Sequence, residues 1–252
     1  MKYASQLIED LRQLGVQEDD TIVVHSSYKA LLGGEQLGDD PAWVIEALKE
    51  AVRNGTLMLP TLTYETVTRE ARHFDVRETP SCVGILPEYM RSGADVYRSV
   101  HPTHSVAVWG KDAAAIAEAH SQDITPVGAN SPLCEVRRRG GKIIMLGCGL
   151  RPNTSMHGVE ELVEPPYLYG KNYDYTLTLH DGSSVVKSYL THDFAQVAQR
   201  YDRILELLSA DAYRTGKVLA ADCTVLDAQA VWEAGLRALR DDPFYFVDRI
   251  QG

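Results

Sequence analysis

Apolar residues recur at helical spacing over residues 4–14, where Ile8, Leu11 and Leu14 share one face and Gly15 ends the run. The pattern then becomes β-branched: residues 21–25 read Thr-Ile-Val-Val-His, a short buried strand. Helical spacing returns over 40–53, with Val44, Leu48 and Val52 inward and Gly55 as the stop. Residues 56–60, Thr-Leu-Met-Leu-Pro, form a second buried strand. Helix then strand, twice over, predicts an α/β fold.

Periodicity lapses over 65–84, where Arg69, Glu70, Arg72, Asp75, Arg77 and Glu78 accumulate, so a long loop is expected there. Residues 86–90 start a short helix, 106–109 a strand, and 111–120 an alanine-rich helix ending at His120. Ser131 is placed to cap a helix from Pro132, which Arg137, Arg138, Arg139 and Gly140 would close. Residues 175–179 and 184–189 alternate around Asp181-Gly182, a hairpin signal. A helix over 195–208, a last strand near 217–221, and a helix over 228–240 capped by Asp227 complete the reading. No repeat, linker or low-complexity tract interrupts it, so one domain over 1–252 is expected.

Apolar content of 44% and charged content of 24% are those of a globular chain able to bury a sizeable core. The formal charge of −10 argues against nucleic acid as partner, since phosphate tracking needs clustered Lys and Arg. It suits a cationic substrate. Cys82, Cys134, Cys148 and Cys223 are scattered, with no C-x-x-C pair, which points to reduced thiols in a cytoplasm. The first ten residues carry acids and read as a helix start, not a signal peptide, and no run is long enough to cross a membrane.

The chemistry concentrates in residues 142–164. Ile143 to Leu146 is a buried strand, Gly147 and Gly149 break it, and Thr154 or Ser155 can cap the helix that follows. His157 falls in the first helical turn, with Glu160 at i+3 and Glu161 at i+4 on the same face. In open α/β sheets such a strand-to-helix crevice is where ligands bind. An imidazole there can act as a general base, oriented by an acid on its far nitrogen; Glu160 is preferred and Glu161 competes on spacing. The hydroxyl of Thr154 could hold a carbonyl oxygen. Ser26 and Ser27 end the first strand, and Arg98 and Ser99 precede the strand at 106, positions where a basic group and hydroxyls could hold an anionic cofactor. His101 and His104 invite a metal reading, but i+3 spacing in a proline-broken loop is poor for zinc. Cys148, between two glycines, offers a covalent route, though such thiols are usually inert packing.

Several of these stretches together resemble the aminoglycoside N(3)-acetyltransferase family over nearly the whole chain. They are Val-His-Ser-Ser at 24–27, Leu-Pro-Thr at 59–61, and Gly-Ile-Leu-Pro-Glu at 84–88. More specific are Arg-Ser-Val-His-Pro-Thr-His-Ser at 98–105, Thr-Pro-Val-Gly-Ala-Asn-Ser-Pro at 125–132, and Asn-Thr-Ser-Met-His-Gly-Val-Glu at 153–160. The resemblance implies a single-domain α/β/α sandwich with a central mixed sheet, acetyl-CoA as co-substrate and no metal. It implies His157 as catalytic base beside Glu160, and a coenzyme site lined by Ser26, Ser27, Arg98, Ser99 and Val100, with Thr154 nearby. The acceptor would be an aminoglycoside amine, with Asp75 and Glu161 as the acids expected to meet it, and residues 65–78 and 165–193 setting specificity. A cytoplasmic monomer or homodimer, free of membrane and nucleic acid, is expected. The alternatives are an acetyltransferase for another primary amine, a non-catalytic coenzyme A sensor, and a metal hydrolase built on His101, His104 and His157.

Overall fold

A computed structural model describes residues 2–34 and 40–250 of the chain. Its helices are α1 (Lys2–Gln13), α2 (Tyr28–Leu32), α3 (Ala42–Ala51), α4 (Ile85–Arg91), α5 (Ala113–Ala119), α6 (Pro132–Arg138), α7 (Ser155–Glu161) and α8 (Ala228–Asp241). Its strands are β1 (Thr21–Ser26), β2 (Thr56–Pro60), β3 (His73–Asp75), β4 (Tyr97–Arg98), β5 (Val106–Gly110), β6 (Lys142–Leu146), β7 (Tyr169–Thr178), β8 (Ser184–His192), β9 (Val197–Gln199), β10 (Tyr213–Val218), β11 (Ala221–Asp227) and β12 (Val247–Arg249).

Seven strands form the main sheet in the order β10-β11-β6-β1-β2-β5-β4. β1 runs parallel to β2 and β6, and every other neighbouring pair is antiparallel, so the sheet is mixed. The parallel strands are apolar without alternation because both faces are covered. Ile22, Val24, Leu57, Leu59, Ile144 and Leu146 pack under α1 and α3, while Val23, Met58, Ile143 and Met145 pack under α6, α7 and α8. The result is the expected α/β/α sandwich around a central mixed sheet. α7 and α8 approach closely at two glycines. A Cβ on Gly158 would lie 3.0 Å from the Trp232 ring, and one on Gly235 would lie 2.9 Å from Val159. That seating fixes the helix carrying His157.

A second sheet, β3-β7-β8, stands beside the first. Its core is Phe74, Val76, Tyr175, Leu177 and Tyr189. β7 and β8 realise the expected hairpin around Asp181-Gly182, longer at its open end than the alternation suggested. β3 lies inside the charged segment expected to be loop, where it pairs parallel with β7.

Three expectations are corrected. Residues 195–208 are not a helix: Phe194 and Gln196 take positive φ, β9 pairs with β12, and only Tyr201–Glu206 coils, as a 3-10 turn. Val197, Tyr201 and Ile204 fall at helical spacing but are buried by tertiary packing instead. The last strand region is a hairpin, β10 and β11, because the outer strand β10 is mostly exposed and carries no apolar signature. Neither Thr154 nor Ser155 caps α7. Thr154 is already helical, and the buried Asn153 accepts from the Ser155 N–H at 3.2 Å in their place. Ser131 and Asp227 do cap α6 and α8 as expected. Among the described residues no helix is long and apolar enough to cross a membrane.

Candidate active site

The carboxyl ends of β1, β2 and β6 open into a cleft of about 490 Å³, the position where ligands bind in sheets with a parallel centre. His25 and Ser26 from β1 line its floor, Pro60 comes from the end of β2, and Cys148, Thr154 and His157 come from the segment after β6. Gly147, at φ 77, turns the chain out of β6, and a Cβ there would lie 2.7 Å from Ala30. The residue type is therefore set both by the left-handed turn and by space.

His157 projects from α7 into this cleft with its side chain 12% exposed. Its Nδ1 lies 3.2 Å from Glu160 Oε2 and 3.0 Å from the Tyr201 hydroxyl. Tyr201 donates to the same Glu160 oxygen at 2.8 Å, and Tyr167 donates to Oε1 at 2.9 Å. With the Tyr201 proton directed to the carboxylate, the tautomer that fits both oxygens is the one with its proton on Nδ1, which makes Nε2 the acceptor of the neutral ring. Glu160 is fully buried. Burial and the adjacent Glu160 hold both phenols well above their usual range, so they remain donors.

Three more histidines face the cleft: His25, His104 and His192. Burial pushes His25 down to about 3, with His157 adding a smaller effect. Burial likewise holds His104 and His192 well below the ordinary value, helped by neighbouring imidazoles. All three are neutral near pH 7, so the floor around His157 is polar but uncharged. Phe194 stands 5.1 Å from the His157 ring, and Tyr64 and Leu62 complete an apolar wall.

Of the residues singled out in the sequence, Ser26, Thr154, His157 and, behind it, Glu160 are brought together here. Ser27 turns away to cap α2 by accepting from Ala30 N. Arg98 is 2% exposed and is not among the cleft lining. Its guanidinium donates to the carbonyls of Thr61, Val76 and Thr79, and lies over the Phe74 ring at 5.1 Å. Burial without a paired carboxylate lowers it to about 9. Ser99 binds His120 Nδ1 and the Val106 N–H, and Val100 packs against the core of the second sheet. Asp75 accepts from the N–H groups of Arg77 and Glu78, closing the turn after β3. Glu161 accepts from Val127 N at 2.7 Å and His192 Nε2 at 2.8 Å, so it neither orients His157 nor reaches the cleft. Cys148 does line the cleft, but burial pushes its thiol up to about 11, which leaves little thiolate near neutrality. Tyr201, Tyr167, His192 and Phe194 carried no local signal. Tyr201, His192 and Phe194 reach the site from segments remote in sequence and Tyr167 from seven residues beyond Glu160, and Tyr201 lies where a helix over 195–208 is expected.

The profile of the aminoglycoside 3-N-acetyltransferase family matches residues 23–240. The chain belongs to this family of acyltransferases. It is 28% identical to aminoglycoside N(3)-acetyltransferase VII of Streptomyces paromomycinus, over 92% of this chain and 89% of that protein. It is also 28% identical to aminoglycoside N(3)-acetyltransferase VIII of Streptomyces fradiae, over 92% and 89%. Among solved structures it superposes on AAC-IIIb in binary complex with CoASH at 25% identity and a TM-score of 0.80, covering 94% of this chain and 96% of that one. It superposes on AAC-VIa bound to sisomicin at 25% identity and a TM-score of 0.77, covering 94% and 97%.

Proposed function

We propose that this protein is an acetyl-CoA-dependent N-acetyltransferase that transfers the acetyl group directly to an amine, with His157 as general base. The observation carrying this reading is the Glu160–Tyr201–His157 network, which holds Nδ1 of an imidazole that lines the cleft at the strand ends. The amine nitrogen attacks the thioester carbonyl carbon while its proton passes to Nε2. The tetrahedral intermediate then collapses, the C–S bond breaks, and the thiolate of coenzyme A leaves, taking its proton from the imidazolium. Glu160 stabilises that imidazolium across the 3.2 Å contact. Thr154, whose hydroxyl has only a 3.5 Å contact to Pro152 O, and Ser26 on the cleft floor are the groups we assign to the developing oxyanion. Arg98 and Ser99 would act from behind, shaping the wall of the coenzyme site.

The acceptor we assign first is the 3-amino group of an aminoglycoside, the substrate in the names of the relatives. A second reading, an amine carrying a single positive charge, is favoured by the lining itself. Among the described residues around the cleft there is no Asp or Glu, and the charged side chain present is Arg151. A polycation gains most from carboxylates, and Asp75 and Glu161 are engaged elsewhere.

Release of free thiol from acetyl-CoA, measured against aminoglycosides and simple primary amines, tests both readings. Turnover is expected with at least one amine. His157→Ala should lose roughly 10²–10⁴ in kcat. Near-normal turnover in that variant would overturn the base assignment, and turnover confined to simple amines would select the second reading.

A further inference from the structure

The cleft contains a second chemistry, carried by the proposed base His157 together with two histidines that the transfer reaction does not use. His104 precedes β5, His157 lies on α7 and His192 ends β8, yet each has a ring nitrogen within 4.8 Å of one on each of the others. The ring centroids are 5.0 to 5.7 Å apart. What distinguishes them from a casual cluster is the opposite nitrogen of each ring. His104 Nδ1 is held by Thr103 Oγ1 at 2.8 Å, His157 Nδ1 by Glu160 and Tyr201, and His192 Nε2 by Glu161 at 2.8 Å. The free nitrogens are therefore His104 Nε2, His157 Nε2 and His192 Nδ1, and the last is buried with no partner. Imidazoles that ligate metal typically have the remote nitrogen bound to an acceptor in this way, two of these three to carboxylates.

We propose that His104, His157 and His192 form a binding site for a divalent transition-metal cation of the zinc class, and that an occupied site blocks acetyl transfer. A tetrahedral zinc with Zn–N near 2.0–2.1 Å needs ligand nitrogens about 3.3 Å apart, so the rings must close on the ion from their present spacing of up to 4.8 Å. The fourth position opens to the cleft. An all-imidazole set discriminates against Mg²⁺ and Ca²⁺, which prefer oxygen. His101, the partner suggested by sequence, takes no part. Its Nδ1 accepts from the N–H groups of Thr103 and His104, and its ring stacks on His120 at 5.2 Å. Blockade follows because a cation on His157 Nε2 occupies the lone pair that must take the amine proton. That consequence, unlike the site itself, rests on His157 being the base.

The test is calorimetric titration of the metal-free full chain with Zn²⁺ alone, beside thermal melts and the thiol-release assay. One-to-one binding, a zinc-dependent rise in melting temperature, no response to Mg²⁺, and inhibition reversed by a chelator are expected. His104→Gln and His192→Gln should each weaken zinc binding at least tenfold, with melts in the absence of metal checking that both variants are folded. Unchanged zinc affinity in both folded variants would overturn the site. Zinc that binds through all three histidines while turnover continues at saturation would leave the site standing and overturn the base assignment to His157.

Discussion

Glu160 shows how a single carboxylate can be fixed without a cation. Both oxygens are buried, and each accepts from a tyrosine: Tyr167 on one, Tyr201 on the other. A hydrogen bond to a charged group is worth roughly 1.5–3 kcal/mol. Tyr201→Phe removes one such bond together with the second acceptor for His157 Nδ1, so the imidazolium formed during transfer loses stabilisation. Its kcat should fall about 10- to 100-fold while KM for acetyl-CoA changes little; an equal rise in KM would mean that Tyr201 instead shapes the coenzyme site. At this scale the sequence was half informative. The His157–Glu160 pair is legible because i+3 spacing on a helix is local geometry. The choice between Glu160 and Glu161, and the two phenols, are not, because they depend on what packs against α7.

The elements tell a similar story. Strands buried on both faces and capped helices were readable from composition and turn residues: β1, β2, β6, α6 and α8 lie where the pattern puts them. Segments 65–84 and 195–227 were not, because their strands are short or exposed, and they pair with partners far along the chain. Arg98 belongs to this scale. Its guanidinium ties β4 to the carbonyls of Thr61, Val76 and Thr79, so it cross-links the main sheet to the turn that follows β3. Arg98→Met would strand the Val76 and Thr79 carbonyls, at about 1–3 kcal/mol for a group left unsatisfied, while Thr61 O keeps the Ser105 hydroxyl as donor. The variant should show a clearly lowered melting temperature even without coenzyme. A normal melt with weakened acetyl-CoA binding would instead assign Arg98 to direct coenzyme contact, as the family resemblance implies.

Across the whole molecule, burial concentrates histidine. His25, His101, His104 and His120 are buried, the His192 side chain is only 4% exposed, and all are held below the ordinary value, His25 and His120 down to about 3, first by burial itself. In the unfolded chain they titrate near 6.5. Below that value the unfolded state binds protons that the folded state refuses, so stability is complete above about pH 6.5 and drains away as pH falls toward the folded values. Each group contributes a slope of about 1.4 kcal/mol per pH unit in that window. Urea midpoints should therefore drop steeply between pH 6.5 and 5, with uptake of several protons on unfolding. A flat profile over that interval would show that these rings are not neutral in the folded state.

The wall facing His157 is built on a different sheet from its floor. His192 ends β8 and so rides on the three-stranded unit rather than on the seven-stranded one, while Phe194, two residues on, packs with Tyr167, Leu168, Val197 and Val247. His157 and Glu160, by contrast, are rooted in the central layers through α7. On the proposed function, the hairpin of β7 and β8 can be rewritten to exchange one acceptor for another while His157 and Glu160 stay anchored in a separate block of the protein.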